Sequence, residues 1–356
     1  MASNQSNSFN FDLAKRICEV PGTPGFEDRV RELVIAEMRP LVDELRVDAL
    51  GNVITTKKGS GGPRVMLAAH MDEIGFMVRY IDDNGFIRLQ PLGGFDGRNL
   101  AAQRVLVHTR DGQTLRGAMM PSSKPIHTLQ AGEAKPYTVS DMFVDLGLTA
   151  DEVREAVEIG DMVTMDRTCE RVGHTIVSKS LDDRLSVFIM IEALRALGQH
   201  SAEVVAVATV QEEVGLRGAQ TSAFGVDPDI GVALDVTLAG DIPGLDPTER
   251  VSKLGDGVAI KVFDSSHIPN HKLVRHLRDI ADKHEIKYQL EVLARGGTDA
   301  GAMQRTHAGV PAITISTPTR YVHSVNEMAH VDDIQAAIQL LARYLEEAHS
   351  GDYQLG

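Results

Sequence analysis

The chain is predicted to be an α/β protein, a three-layer α/β/α unit interrupted by a small inserted β-rich module. Three observations predict this. Before residue 75 and after residue 166, apolar runs of strand length alternate with segments of helical periodicity, the pattern of a layered sheet. Between residues 75 and 165, short β-like pieces separated by Gly and Asp turns replace that pattern, as in a small barrel. The 356 residues, 43% of them hydrophobic, are enough for two or three domains. Residues 1–74 and 166–356 are therefore expected to form one discontinuous unit, with residues 75–165 as the insert.

The elements follow in order. The first eight residues are polar and are expected to be disordered. "FEDRVRELVIAEM" puts Val30, Leu33, Val34 and Met38 on one helical face. Residues 43–58 read as two strands around "DALGN", "GSGGP" as a tight turn and "RVMLAAH" (64–70) as a buried strand. Inside the insert, "GFMVRYI", "GFIRLQPL", "RVLVHT" and "TLRGAMM" are strands, residues 120–138 a long polar loop, and "TADEVREAV" a short helix. After residue 166, "LDDRLSVFIMIEALRALG" (181–198) reads as a buried helix ending at Gly198. Strands are expected at 203–210, 229–235, 257–263, 286–292 and 311–317. An amphipathic helix at 270–284 carries Leu273, Leu277, Ile280 and His284 on one stripe, and a final helix at 332–348 carries Ile334, Ile338, Leu341 and Leu345.

Composition excludes several function classes. Lys and Arg total 36 against 50 Asp and Glu, a net charge of -14, which argues against nucleic acid or an anionic membrane as partner. No apolar run approaches the ~20 residues of a membrane helix, and the N-terminus lacks a signal core. Cys18 and Cys169 support neither a disulfide framework nor a cysteine-type zinc site, so a reducing cytoplasm is the expected compartment. Trp is absent and aromatics are 4% of the chain, which disfavours a sugar-stacking cleft.

The chemistry-bearing residues stand at element boundaries. The 64–69 strand ends in His70, followed by Asp72; the 204–210 strand ends in Glu212 and Glu213; the 229–234 strand ends in Asp235. The 311–315 strand leads to His323, and the helix at 182 opens with Asp182 and Asp183. Ligands of open α/β sheets gather at the carboxyl ends of strands. Taken singly, each motif has a plainer reading: a polar turn, a solvated face, a helix N-cap pair or a packed histidine. Together they deliver imidazole and carboxylate to one edge from five segments. Two imidazoles and at least three acids exceed the three protein ligands a single catalytic zinc takes; two ions ~3.5–4 Å apart, sharing a carboxylate, would use them. Neighbours in a strand point to opposite faces, but at a strand's end the backbone turns. One of Glu212 and Glu213 can then bind metal while the other takes a proton from water. His330 reads as structural, and His127, His174, His271 and His307 carry no assigned role.

"AAHMDEIGFMV", "SLDDRLSV", "QEEVGLRGA", "ALDV", "GGTDAGA" and "PTRYVHS" occur in the order seen in the TET-type metallo-aminopeptidases, and the chain resembles that family over residues 10–350. That family (peptidase family 42) holds glutamyl aminopeptidase, deblocking aminopeptidases and proteins often labelled endoglucanase M. The resemblance implies a zinc-peptidase-like catalytic unit whose inserted barrel is a dimerisation domain, and six dimers forming a hollow dodecamer. It implies that Asp182 bridges two divalent ions, zinc or cobalt. His70 and Asp235 would complete one site, Glu213 and His323 the other, with Glu212 the general acid/base. Asp72 would orient His70 from behind. A cis peptide bond after Asp182 is also implied. The substrates would be short peptides losing their N-terminal residue. Acidic, aliphatic and broad specificities share all these motifs.

"RGGTDAGA" (295–302) has two readings, a pocket wall beside the metals contributed by Gly297, Thr298 and Asp299, or a turn opening a short helix; without a Lys-Ser/Thr sequence it is not a phosphate loop. Three rivals stand beside the aminopeptidase. A glycoside hydrolase needs two carboxylates rather than histidines. An inactive assembly protein of the same fold has no use for an intact Glu212. A related two-metal deacylase or carboxypeptidase would not require a free substrate amine.

Overall fold

The computed structural model describes residues 9–123 and 136–355. The expected disorder of the first eight residues, and most of the 120–138 loop, lie outside them. In chain order the elements are α1 (Phe11–Glu19), α2 (Asp28–Met38), β1 (Glu44–Val47), β2 (Val53–Lys57) and β3 (Arg64–His70). Next come β4 (Gly75–Ile81), β5 (Ile87–Leu92), β6 (Gln103–His108), β7 (Thr114–Pro121), β8 (Met142–Asp145), α3 (Ala150–Ala156) and β9 (Met162–Met165). The chain continues through β10 (Glu170–Val172), β11 (Thr175–Ser178), α4 (Leu181–Ala196), β12 (Glu203–Thr209), α5 (Arg217–Val226) and β13 (Ile230–Leu238). It ends with β14 (Val258–Phe263), α6 (His271–Lys283), β15 (Tyr288–Val292), α7 (Asp299–Gln304), β16 (Ala312–Arg320), β17 (Glu327–His330) and α8 (Val331–Glu347).

Strands β4 to β9 close into a barrel in the order β4-β5-β8-β7-β6-β9, around a core of its own that includes Phe76, Val105 and Val163. The remaining strands form one sheet along the path β1-β2-β12-β3-β13-β16-β17-β11-β10, with β14 and β15 branching from β16. Its centre is parallel, β12 beside β3 beside β13 beside β16, so four carboxyl ends open on the same edge.

Strand alternation sorts the side chains into two layers. Val65, Leu67 and Ala69 of β3 enter the large core with α1, α2, α4, α6 and α8. Met66 and Ala68, with Val205 and Val207 of β12 and Ala233 of β13, enter a smaller core under α5 and α7. His70 continues the parity of Met66 and Ala68, and Asp235 that of Ala233, whose register partner is Ala68. Both ligand candidates therefore leave the sheet on the α5/α7 side. α4 is buried nearly all round, as its continuous apolar run predicts, while α8 buries the expected stripe.

Several expectations need adjustment. Asp235 does not end its strand: β13 runs on to Leu238 because it stays paired with β16 as far as Thr319. Asp182 and Asp183 are not the N-cap. Ser180 holds that position in the left-handed region, and the two acids have non-helical dihedrals with a cis peptide bond between them. α1, α5, β17 and the β10–β11 hairpin are additions to the elements read from the sequence. His330 caps α8, its Nδ1 accepting the Asp332 N–H at 3.1 Å, and His284 caps α6 and meets Glu347 at 2.7 Å.

Candidate metal centre

The β3 end presents His70, 2% exposed. Its Nδ1 donates to the Asp72 carbonyl oxygen at 3.0 Å, which turns Nε2 toward Asp182 Oδ1, 3.1 Å away. Beyond β16 the backbone enters the left-handed region at Tyr321 and His323, and the turn projects the second imidazole back to the edge. His323 Nε2 lies 3.3 Å from Asp182 Oδ2 and 3.4 Å from Glu213 Oε1. The Asp182 carboxylate thus stands between two histidines, one on each oxygen.

Glu212 and Glu213 follow β12. The chain turns at Gln211, which has φ +55°, and both side chains then enter one cavity. Two clusters of donor atoms lie close enough to share an ion: His70, Asp182 and Glu213, and His70, Asp183 and Asp235. Asp183 belongs to the second geometrically, yet it lies outside the cavity lining and its Oδ2 accepts the His70 backbone N–H at 3.2 Å.

Three buried carboxylates hold the ligand segments by their backbones. Asp72 accepts the N–H of Glu212 on Oδ1 and that of Glu213 on Oδ2, both at 3.1 Å. Its carboxylate is farther from the imidazole, 3.6 Å from His70 Nδ1, so it steadies the glutamates more directly than the histidine. Asp183 holds His70. Glu327, absent from the sequence reading, accepts the N–H of Asp182 at 3.0 Å and of His323 at 2.8 Å. The one hint was an acid four positions after the histidine, in "HSVNE".

The electrostatics call for cations. Burial drives the carboxyls of Glu212 and Asp235 well above their ordinary range, against the pull of His70. Burial also raises Asp182, but hydrogen bonds from His323 and His70 outweigh it and hold that carboxyl low. Burial alone would lower His323, yet Asp182 and Glu213 push it up to about 12. Glu213 Oε1 is buried without a hydrogen-bond partner. Four crowded carboxylates against two imidazoles, with an orphaned oxygen among them, make a donor set suited to divalent cations.

The ligand candidates line a cavity of about 570 Å³ together with Leu238, Leu293, Arg295, Gly297 and Thr298. Asp299 begins α7 behind that wall, where its Oδ2 accepts the Thr209 hydroxyl at 2.6 Å. The barrel side also reaches the centre: a Cβ on Gly93 would lie 3.1 Å from Glu213 Oε2, and one on Gly94 3.4 Å from His323 Nδ1.

A putative aminopeptidase of Acetivibrio thermocellus is 42% identical over 332 residues, 93% of this chain and 97% of that protein. The structure of an aminopeptidase from the archaeon Desulfurococcus kamchatkensis is similar with a TM-score of 0.91 at 42% identity, covering 95% of this chain and 94% of that one. The TET1 peptidase of Pyrococcus horikoshii, described as assembling into a tetrahedron or a large octahedral shell, has a TM-score of 0.84 at 32% identity, covering 95% and 99%. The family model described as M42 glutamyl aminopeptidase matches residues 51–340, and the chain belongs to that family.

Proposed function

We propose that this peptidase removes the N-terminal residue of short peptides with two divalent cations, zinc or cobalt, and with Glu212 as the proton-transfer group. One cation would be held by His70, Asp182 and Asp235, the other by Asp182, Glu213 and His323. When bound, the pair would supply carbonyl polarisation and a water of lowered pKa. The observation that carries the reading is the Asp182 carboxylate, with His70 on one oxygen and His323 on the other.

The chain's own groups do the rest. Glu212 lines the same cavity, its Oε2 3.9 Å from His70 Nε2. It removes a proton from the attacking water and returns it to the departing amine. Asp72 keeps Glu212 and Glu213 in register by binding both backbone N–H groups. Gly297 and Thr298 form the wall against which the first residue lies, and Asp299 supports that wall through Thr209. The free α-amine would lie beside the acidic groups around the cations, which separates this substrate class from N-acetylated peptides and from polysaccharides.

Self-association accompanies this reading, with the barrel as the pairing element and a dodecamer as the assembly, the latter on the analogy of the similar TET1 structure described as a dodecamer. Among the described residues, no helix is long and apolar enough to cross a membrane. The test is a panel of amino-acid nitroanilides and their N-acetylated counterparts, assayed with metal-free protein and after adding zinc or cobalt. Cleavage restricted to free-amine substrates and restored by metal supports the reading. Metal-independent cleavage of polysaccharide, or equal cleavage of acetylated peptides, overturns it.

A further inference from the structure

We propose that Glu327 is the positioning residue that sets the affinity of the cation site completed by His323. This rests on the two-cation reading above. Glu327 is 1% exposed and lies outside the cavity lining, so it does not touch substrate. Its Oε2 accepts the Asp182 N–H and its Oε1 the His323 N–H, so a single carboxylate joins two ligand segments that are remote in sequence. Both segments need such a tie. Asp182 has φ -77° and ψ 106°, outside the helix it opens, so the helix ladder does not fix it. His323 has φ +62° in the turn between β16 and β17. Glu327 itself is well anchored. It opens β17, whose neighbours are β11, through the pair Ser178–Glu327, and β16, through Thr319–Ala329 and Arg320–Met328. Its carboxylate is thus fixed on the sheet and in turn fixes the gap between the bridging carboxylate and the second imidazole.

The two sites depend on it unequally. His70 is held independently, by the Asp72 carbonyl on Nδ1 and by Asp183 on its backbone N–H. Asp235 is held inside a paired strand. Asp182 and His323 both meet Glu327, so the site using both loses most when it changes. A Gln at 327 keeps the shape but offers one accepting oxygen and turns an NH2 donor toward the other N–H. An Asp keeps the charge but is one methylene too short to span both donors.

The experiment is calorimetric titration of zinc into metal-free parent, Glu327→Gln and Glu327→Asp proteins, with the bound metal counted after dialysis and thermal unfolding followed with and without zinc. The parent is expected to bind two ions per chain. Both variants are expected to bind one ion with a small loss of affinity and the other ~10–100-fold more weakly, the usual range for lost outer-shell support. Excess zinc should restore kcat, and the zinc-induced rise in Tm should shrink. A merely structural role would lower the metal-free Tm and leave the zinc-induced shift unchanged. Two ions at parental affinity in either folded variant, or equal weakening of both, overturns the inference while leaving the two-cation reading intact. A parent that binds a single ion overturns that reading itself.

Discussion

Glu212 and Glu213 leave one backbone segment to face different imidazoles: Glu212 Oε2 is 3.9 Å from His70 Nε2, and Glu213 Oε1 is 3.4 Å from His323 Nε2. Their substitutions should therefore separate binding from turnover. Glu212→Gln should retain both cations and lose kcat by ~10²–10⁴-fold, the usual worth of a positioned proton-transfer group. Glu213→Gln should lose an ion. Metal counting alongside steady-state kinetics on a free-amine dipeptide checks both.

Metal binding should release protons. His323 is pushed up to about 12 when its partners are carboxylates alone, so it carries a proton at neutral pH, and an imidazole must be neutral to ligate. Zinc affinity should accordingly rise with pH. Titrations at one pH in buffers of different ionisation enthalpy measure the protons released, and no buffer dependence would refute this.

The barrel and the centre should be coupled through Gly93. Its φ is +91°, and an added Cβ would meet Ile74 Cγ2 at 2.5 Å and Glu213 Oε2 at 3.1 Å. Gly93→Ala should destabilise the protein by about 1–3 kcal/mol and weaken zinc binding. The same substitution at Gly112, φ +81° with open space around its Cβ, should leave zinc affinity unchanged.

His108 should shape stability in mild acid. It is buried between α2 and the barrel, its Nδ1 3.3 Å from Arg29 and its Nε2 2.9 Å from Thr164 Oγ1. Burial, then the Arg29 and Lys179 charges, lowers it from 6.5 to about 4. The unfolded chain binds this proton below pH 6.5 and the folded chain only near 4. The contribution is thus fully present above 6.5 and is lost as pH falls toward 4. His108→Gln should flatten the pH dependence of unfolding free energy in that window by at most ~1.4 kcal/mol per pH unit.

The parts of this centre that were legible in the sequence are those written in local patterns. The β3, β12 and β16 runs, the imidazoles at the end of β3 and beyond β16 and the paired acids after β12 all announce themselves by periodicity and its interruption. Tertiary pairing set the rest. Asp235 interrupts the continuous apolar run of β13 and so reads as a strand end, yet β16 carries β13 three residues further. α5 carries little sequence signal because "RGAQTSAFGV" buries mostly small residues, Gly218, Ala219, Ser222 and Ala223 among them. Glu327 and Asp72 act on backbone N–H groups far away in sequence, and no spacing rule encodes a carboxylate that binds main chain on another element.

The most direct test is anomalous diffraction from crystals grown with zinc, recorded on either side of the zinc absorption edge. Two peaks flanking the Asp182 carboxylate are expected, one in reach of His70 and Asp235 and the other of His323 and Glu213. A lone peak, or peaks remote from Asp182, would contradict the account.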